Sequence, residues 1–327
     1  MGKVIAVCIS EKKGTQKKEV EEVRLVEDWG IEQDAHAGKW HRQVSLLSFE
    51  KIEAFREKGA EVDFGAFGEN MIIAGYDLRK IPVGATFQIG EARLVLTQIG
   101  TKFKCNDVVL ELTQIGKECH SHCEIYKKMG DCIMPREGVF TVVEKGGIVR
   151  PGDEVKMTLP AADRPFTAAV VTLSDKGFAG EREDKSGPLV AAMLKEAGYE
   201  VAETLLLPDG RSGLERQLIR LADQRQISVI FTTGGTGFSE RDVTPEATLA
   251  VCDRMAPGIA DAIRMHSLSI TDRAMFGRAV SGIRKKTLIV NLPGSPKAVK
   301  ESLEYVLPAL GHGLGILRGT ENECGNC

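Results

Sequence analysis

Two stretches of this sequence hold residue types whose spacing suits chemistry. The first is "GKECHSHC" (Gly116 to Cys123), where Cys119, His120, His122 and Cys123 fall close together and Cys132 follows in "GDCIMP". A metal site, a disulfide and a reactive thiol are the competing readings. A nucleophilic cysteine must be a thiolate, and neighbouring cations favour that form; Cys119 has Lys117 and His120 beside it. A Cys3His zinc set of Cys119, Cys123, Cys132 and one histidine is the alternative. It has only one short-spaced pair, whereas structural zinc sites bring two. Cys8 and Cys252 sit in apolar runs and read as small hydrophobes. The terminal "ECGNC" adds a CxxC pair, Cys324 and Cys327, suited to redox exchange, a metal or sulfur relay.

The second stretch is "TTGGTGFSERD" (Thr232 to Asp242). Gly234, Gly235 and Gly237 let a backbone approach a phosphate or a flat heterocycle closely. No Gly-Lys-Ser/Thr follows, so this is not a Walker loop, and it lies too late in its domain for a dinucleotide fingerprint. Thr244 and Pro245 serve as N-cap and first residue of the next helix. That capping role leaves Arg241 and Asp242 unexplained, since their charges face whatever the glycines hold. Three other segments end in polar or flexible residues: "LSDKG" (Ser174, Asp175), "LPDG" (Asp209) and "NLPGSPK" (Asn291 to Lys297). For Asp209 an ordinary Asp-Gly turn remains an alternative.

The elements that must position these residues divide near residue 160. The chain of 327 residues is long enough for two domains, expected at 1–160 and 161–327 with "LPAADRP" as the linker. Before the boundary run short strand-like segments broken by Gly, Pro and Asp: "KVIAVCIS", "QVSLLS", "ENMIIAG", "ATFQIG", "ARLVLTQIG", "VVLELTQIG", "GVFTVVEKGG" and "DEVKM". They imply a mainly β barrel, interrupted by one helix at "SFEKIEAFREKG" with Ser48 as its cap. After the boundary, near-continuous apolar strands alternate with amphipathic helices, which implies a mostly parallel sheet covered on both faces. Ligands of such sheets bind at the carboxyl ends of the strands, where the polar segments above fall.

Composition excludes several functions. Hydrophobic content of 43% with 27% charged residues is that of a globular protein, and no apolar run approaches a membrane span. The apolar start lacks a cleavage pattern, so a cytoplasmic location is expected, and with it reduced thiols. Net charge is −3 and neither half has a basic excess, so no nucleic-acid partner is expected.

With these residues in view, "TTGGTGFSERDVTPEAT", "MAPG" and "NLPGSPK" resemble the MogA/MoaB family of molybdopterin adenylyltransferases, over about 167 to 320. The resemblance implies a three-layer α/β domain that activates molybdopterin with Mg-ATP, giving adenylyl-molybdopterin and pyrophosphate, usually as a homo-oligomeric trimer. It assigns Asp209 and Asp242 to catalysis and to positioning Mg2+ with ATP. Ser174, Asp175 and Asp184 would line the same pocket, and Thr233, Gly234, Gly235, Thr236 and Gly237 would cradle phosphate or pterin. Pro293, Gly294, Ser295 and Lys297 supply further contacts. The related competence-damage domain shares the fold, but "RDVTPEAT" is closer to MogA.

In the first half, "GIEQDAHAGKWHRQVSLLS", "FGENMIIAGYDL" and "GKECHSHCEIYKKMGDCIMPREGVF" resemble a small MOSC domain. That resemblance implies a β barrel that binds a molybdenum or tungsten pterin cofactor or carries sulfur as a cysteine persulfide. The cations beside Cys119, Lys117 and His120, favour it as the carrier, with Cys123 or Cys132 resolving a persulfide or sharing a metal. Asp34, His36, His41 and Arg42 would bind anions and donate protons in the same cleft. No aminotransferase-like desulfurase domain precedes it in this sequence, so sulfur is expected from a separate donor. The combined expectation is a bifunctional protein of molybdenum cofactor biosynthesis, partnered by a molybdenum-insertion protein. A non-catalytic carrier or scaffold for molybdopterin is the rival.

Overall fold

The computed structural model describes residues 2–13, 15–99 and 132–321. The chain divides into two compact units, Met1–Ala161 and Ala162–Cys327.

The first unit is built from short strands: β1 (Gly2–Ile9), β2 (Lys18–Val20), β3 (Val23–Val26), β4 (Gly30–Ile31), β5 (Val44–Ser48), β6 (Met71–Ala74), β7 (Thr86–Ile89), β8 (Ala92–Ile99), β9 (Val139–Lys145), β10 (Gly147–Val149) and β11 (Glu154–Thr158). Their order is β11-β7-β8-β9-β5-β6-β1, and pairing of β1 with β11 closes the ring into a barrel. Closure leaves no open edge along those strands. The length of β1 makes this possible: Gly2 and Lys3 pair with β11, while Val7, Cys8 and Ile9 pair with β2. Val4, Leu46, Met71, Phe87 and Leu94 belong to the main buried core. Strands β3, β4 and β10 form a separate small sheet.

Helix α1 (Phe49–Arg56) joins the parallel pair β5 and β6 and buries Ile52 and Phe55 in a second core with Leu47 and Ile72. Ser48 stands at its N-cap but makes no capping bond. Its hydroxyl donates instead to Glu50 Oε2 at 2.5 Å, so the cap read from the sequence is corrected. A single turn, α2 (Met134–Glu137), precedes β9.

The second unit contains β12 (Thr167–Leu173), β13 (Glu200–Leu207), β14 (Val229–Thr233), β15 (Arg254–Met255), β16 (Ser281–Arg284) and β17 (Thr287–Leu292), in the order β13-β12-β14-β17-β16-β15. The first four positions are parallel and the last two antiparallel. Helices are α3 (Asp175–Phe178), α4 (Ser186–Glu196), α5 (Arg211–Ile219), α6 (Thr244–Val251), α7 (Pro257–Leu268) and α8 (Pro296–Arg318). One face of the sheet buries Val170, Phe231 and Val290 against Val190 and Leu194 of α4, Ile263 of α7 and Leu303 of α8. By strand alternation Val171, Ile230 and Ile289, equally buried, lie on the other face.

The chain passes from β12 to β13 on one side, then returns to β14 on the other. Such a reversal opens a crevice at the carboxyl ends of the strands. The antiparallel edge and α7 were not expected from sequence. Among the described residues no helix is long and apolar enough to cross a membrane.

Candidate functional site

A cleft of about 770 Å³ lies at the reversal point, lined by the ends of β12 and β14 and the loops after β12, β13, β14 and β17. Each lining element has a local cause. Gly234 and Gly235 adopt positive φ, +94° and +62°. A Cβ at Gly234 would strike the Leu173 carbonyl oxygen, and one at Gly235 would lie 2.5 Å from Thr244 Oγ1. Only glycine permits this turn. The Thr244 hydroxyl donates to the Gly234 carbonyl at 2.9 Å, which ties α6 to the turn. Val243 rather than Thr244 holds the N-cap position, so the expected capping role of Thr244 is replaced by this tie. The Thr233 hydroxyl donates to the Pro293 carbonyl at 2.6 Å and brings the β14 and β17 ends together.

The acidic residues are fixed by backbone donors. The Asp209 N–H donates to Asp175 Oδ1 at 2.8 Å, and the Asp175 N–H donates to Asp209 Oδ2 at 3.3 Å. Burial pushes the Asp209 pKa up; the carboxylates of Asp175 and Asp242 push the same way, against the Asp175 N–H and the charge of Arg241. Asp242 Oδ2 accepts from the Ser239 N–H at 2.9 Å. Asp184 Oδ1 accepts from the N–H groups of Ser186 and Gly187, both at 3.0 Å, at the start of α4. Ser174 Oγ accepts from the Gly177 N–H at 3.0 Å and from Arg182 Nη2 at 3.1 Å.

Ser174, Asp184, Asp209, Thr233, Gly234, Gly235, Asp242, Gly294 and Ser295 all line the cleft. Asp175 supports it through Asp209. Besides Asp175, four expected contacts are not in its lining. Thr236 and Pro293 line a separate, smaller cavity with Ile263 and Arg264. Gly237 lies under the Asp242 carboxylate. Lys297 has a side chain 81% exposed and pairs with Glu301 at 3.9 Å. Sequence reasoning left out Thr172, Arg182, Lys185 and Ser186, which also line it. For the last three the signal was present in "EREDKSGP": a charged loop leading into a helix start.

The first unit places its expected site residues differently. Lys17 and Asp34 form an ion pair with each side chain only 1% exposed. Asp34 also accepts from the Ser10 N–H and the His36 N–H, both at 3.0 Å. Burial alone would raise the Asp34 pKa, but hydrogen bonds from His36 and Lys17 and the Lys17 charge hold it well below the usual carboxylate range. His36 Nδ1 is 3.4 Å from Lys17 Nζ. The His41 carbonyl accepts from Thr97 Oγ1, and the Arg42 guanidinium stacks over Trp40 and Phe140 at 4.8 and 5.0 Å. Asp34 is thus committed within the protein, where the sequence suggested ligand contact. Glu69, not singled out, is fully buried; burial pushes its pKa up to about 7, against hydrogen bonds from the Gly65 and Phe67 N–H groups.

Cys119, His120, His122 and Cys123 lie outside the described residues, as do Cys324 and Cys327. Cys132 is half-buried against the second core. Burial pushes the Cys8 thiol up, and pushes Cys252 up to about 11. Neither forms a ready thiolate.

Comparison with known proteins decides the family. Residues 169–312 match the family described as a probable molybdopterin binding domain, and residues 33–156 match the MOSC domain. The molybdopterin adenylyltransferase of Helicobacter pylori is 40% identical over 152 residues, covering 46% of this chain and 86% of that protein. Its counterpart in Escherichia coli K12 is 43% identical over 146 residues, covering 44% and 74%. The chain belongs to the molybdopterin adenylyltransferase family. Its first unit is a MOSC domain, so the two are fused in one protein of molybdenum cofactor biosynthesis. Among solved structures, the molybdopterin biosynthesis enzyme MoaB of Thermus thermophilus is 44% identical over 47% of this chain and 97% of that one, with a TM-score of 0.45.

For this family the residues present fit magnesium. Among the described residues no group of three His, Cys, Asp or Glu side chains is preassembled around a metal position. Magnesium does not require one, since it keeps several waters and is held by one or two carboxylates plus substrate phosphates. Asp209 and Asp242 both line the cleft and supply the one or two carboxylates such an ion needs.

Proposed function

We infer that the second unit transfers the adenylyl group of ATP to molybdopterin. The terminal phosphate oxygen of molybdopterin attacks the α-phosphorus, the bond from that phosphorus to the bridging oxygen breaks, and pyrophosphate leaves with the electron pair. The observation that carries this reading is the cleft itself. Carboxylates of Asp209 and Asp242, cations Arg182, Lys185 and Arg241, and the bare backbone of Gly234 and Gly235 line one volume at the strand ends.

The difficulty of the reaction is accumulated negative charge. Arg182, Lys185 and Arg241 offset it, Arg182 from a position held by its bond to Ser174, and such charge is most effective where negative charge develops in the transition state. Gly234 and Gly235 let phosphate oxygens come against main-chain atoms. Asp209 and Asp242 would hold Mg2+, which would neutralise and orient the triphosphate. Asp184 and Ser174 keep the cleft walls in place through their bonds to the starts of α4 and α3. Trimeric assembly, a cytoplasmic location and a molybdenum-insertion partner complete the reading.

For the first unit, the proposal is sulfur carriage on Cys119 as a persulfide, or binding of the molybdenum or tungsten cofactor. Intact-mass analysis after incubation with a cysteine desulfurase should show a one-sulfur adduct that Cys119→Ser abolishes. An adduct that survives Cys119→Ser counts against that cysteine.

The adenylyl-transfer reading is tested by mass-resolved product analysis with molybdopterin, Mg2+ and ATP, comparing the wild type with Asp242→Asn. Adenylyl-molybdopterin from the wild type alone supports it. Pterin binding without product, and without Mg-dependent affinity for nucleotide, replaces the enzyme with a carrier.

A further inference from the structure

Arg278 lies outside every motif read from the sequence, yet it gathers the loop that carries Asp242. Its Nε donates to the Gly237 carbonyl at 2.7 Å, its Nη2 to the Asp242 carbonyl, and its Nη1 to Glu246 Oε1 in the first turn of α6. Its main-chain N–H donates to the Thr236 carbonyl at 3.0 Å. One residue therefore holds both ends of the loop 237–242 and the helix that follows. Inside the loop the Asp242 N–H donates to the Ser239 carbonyl at 2.8 Å, and Asp242 Oδ2 accepts from the Ser239 N–H. The place of the carboxylate follows from the place of the loop ends.

Arg278 is itself fixed by a second arginine. Arg264 of α7 donates from Nε to the Gly277 carbonyl at 3.3 Å and from Nη2 to the Ala279 carbonyl at 2.9 Å, one residue to either side of Arg278. Its Nη1 is anchored on Asp261 at 2.6 Å. Two guanidinium groups in series thus connect α7 to the Asp242 loop. The planar guanidinium fork aims its donors in fixed directions, which a lysine ammonium does not reproduce.

We propose that Arg278 is the positioning residue for Asp242, holding its carboxylate where adenylyl transfer requires it, with Arg264 as the support behind it. This rests on the adenylyl-transfer reading. Arg278 is not among the residues lining the cleft, so its loss acts through the placement of Asp242.

The test compares adenylyl-molybdopterin formation by the full chain, by Arg278→Ala and by Arg278→Lys. For Arg278→Ala, kcat should fall by roughly 10- to 10²-fold, the scale set by a misplacement of about 1 Å, with KM for molybdopterin little changed. Added guanidinium ion at low millimolar concentration should restore part of the Arg278→Ala rate, and Arg278→Lys should stay impaired. Unchanged kcat in Arg278→Ala, including a loss carried by KM alone, overturns the assignment. If Arg278→Ala does not fold, Arg264→Gln supplies the second arm. It should lower kcat less than Arg278→Ala does, and an unaltered kcat there overturns the assignment as well. A wild type that makes no product overturns the adenylyl-transfer reading and this inference with it. An active wild type beside an indifferent Arg278→Ala overturns the inference alone.

Discussion

The two units use charged side chains in opposite ways. In the first, Asp34 and Lys17 are sealed from water and satisfy each other, with Ser10 and His36 completing the set. In the second, Asp209 and Asp242 line an open cleft together with Arg182, Lys185 and Arg241. A buried pair is costly to break, because removing one partner strands the other charge away from water. An open set costs little to alter in stability, but it is what a charged ligand meets. Carboxylates and cations thus close on each other in one place and line an open cleft in the other.

The largest expected effect separates these roles in the second unit. Asp242→Asn should lower adenylyl transfer by roughly 10²-fold, the scale of losing one preorganised charge-stabilising group, while the melting temperature stays near that of the wild type. A rate assay beside calorimetry checks both. Gly234→Ala should damage both properties. It forces a Cβ against the Leu173 carbonyl at positive φ, a backbone cost of about 1–3 kcal/mol, and denaturant titration would show it.

In the first unit the expectation reverses. Lys17→Met leaves Asp34 buried without its cation and should cost about 3–5 kcal/mol of stability, read as a fall in the denaturant midpoint. Protonation adds a sharper test. Because the folded pKa of Asp34 is depressed, its stabilising contribution is present above the unfolded value and lost as pH falls. Glu69 behaves oppositely: with its pKa raised to about 7, its contribution is full below the unfolded value, near 4.3, and is lost as pH rises towards 7. Glu69→Gln should therefore flatten the decline of stability between about pH 4.5 and 7. The smallest effect belongs to Ser48→Ala. Because that hydroxyl bonds Glu50 rather than a helix N–H, the change should stay within about 0.5 kcal/mol, below the usual loss of a cap.

The parts of the site legible in the sequence are those encoded locally. The strand ends and the "GG" turn are contiguous signals, and alternation of apolar strands with amphipathic helices is enough to imply the parallel sheet. Asp209 and Asp242 followed from strand-end placement together with the family resemblance. What escaped is non-local. Arg278 reaches Asp242 across 36 residues, and the Lys17–Asp34 pair depends on a burial that no period in the sequence encodes. Thr236 and Lys297 sit within the right motifs but outside the cleft lining, Thr236 in the smaller cavity and Lys297 with its side chain exposed. The short β15 and β16 lack the length at which alternation becomes readable.

The most direct test of the central claim follows label from ATP. With the chain incubated with molybdopterin and Mg2+, label at the α-phosphate should enter the pterin product while label at the γ-phosphate leaves in pyrophosphate. This should hold in the wild type and in Glu69→Gln but not in Asp242→Asn. Transfer of the γ label to the pterin, or undiminished α transfer by Asp242→Asn, would contradict the account.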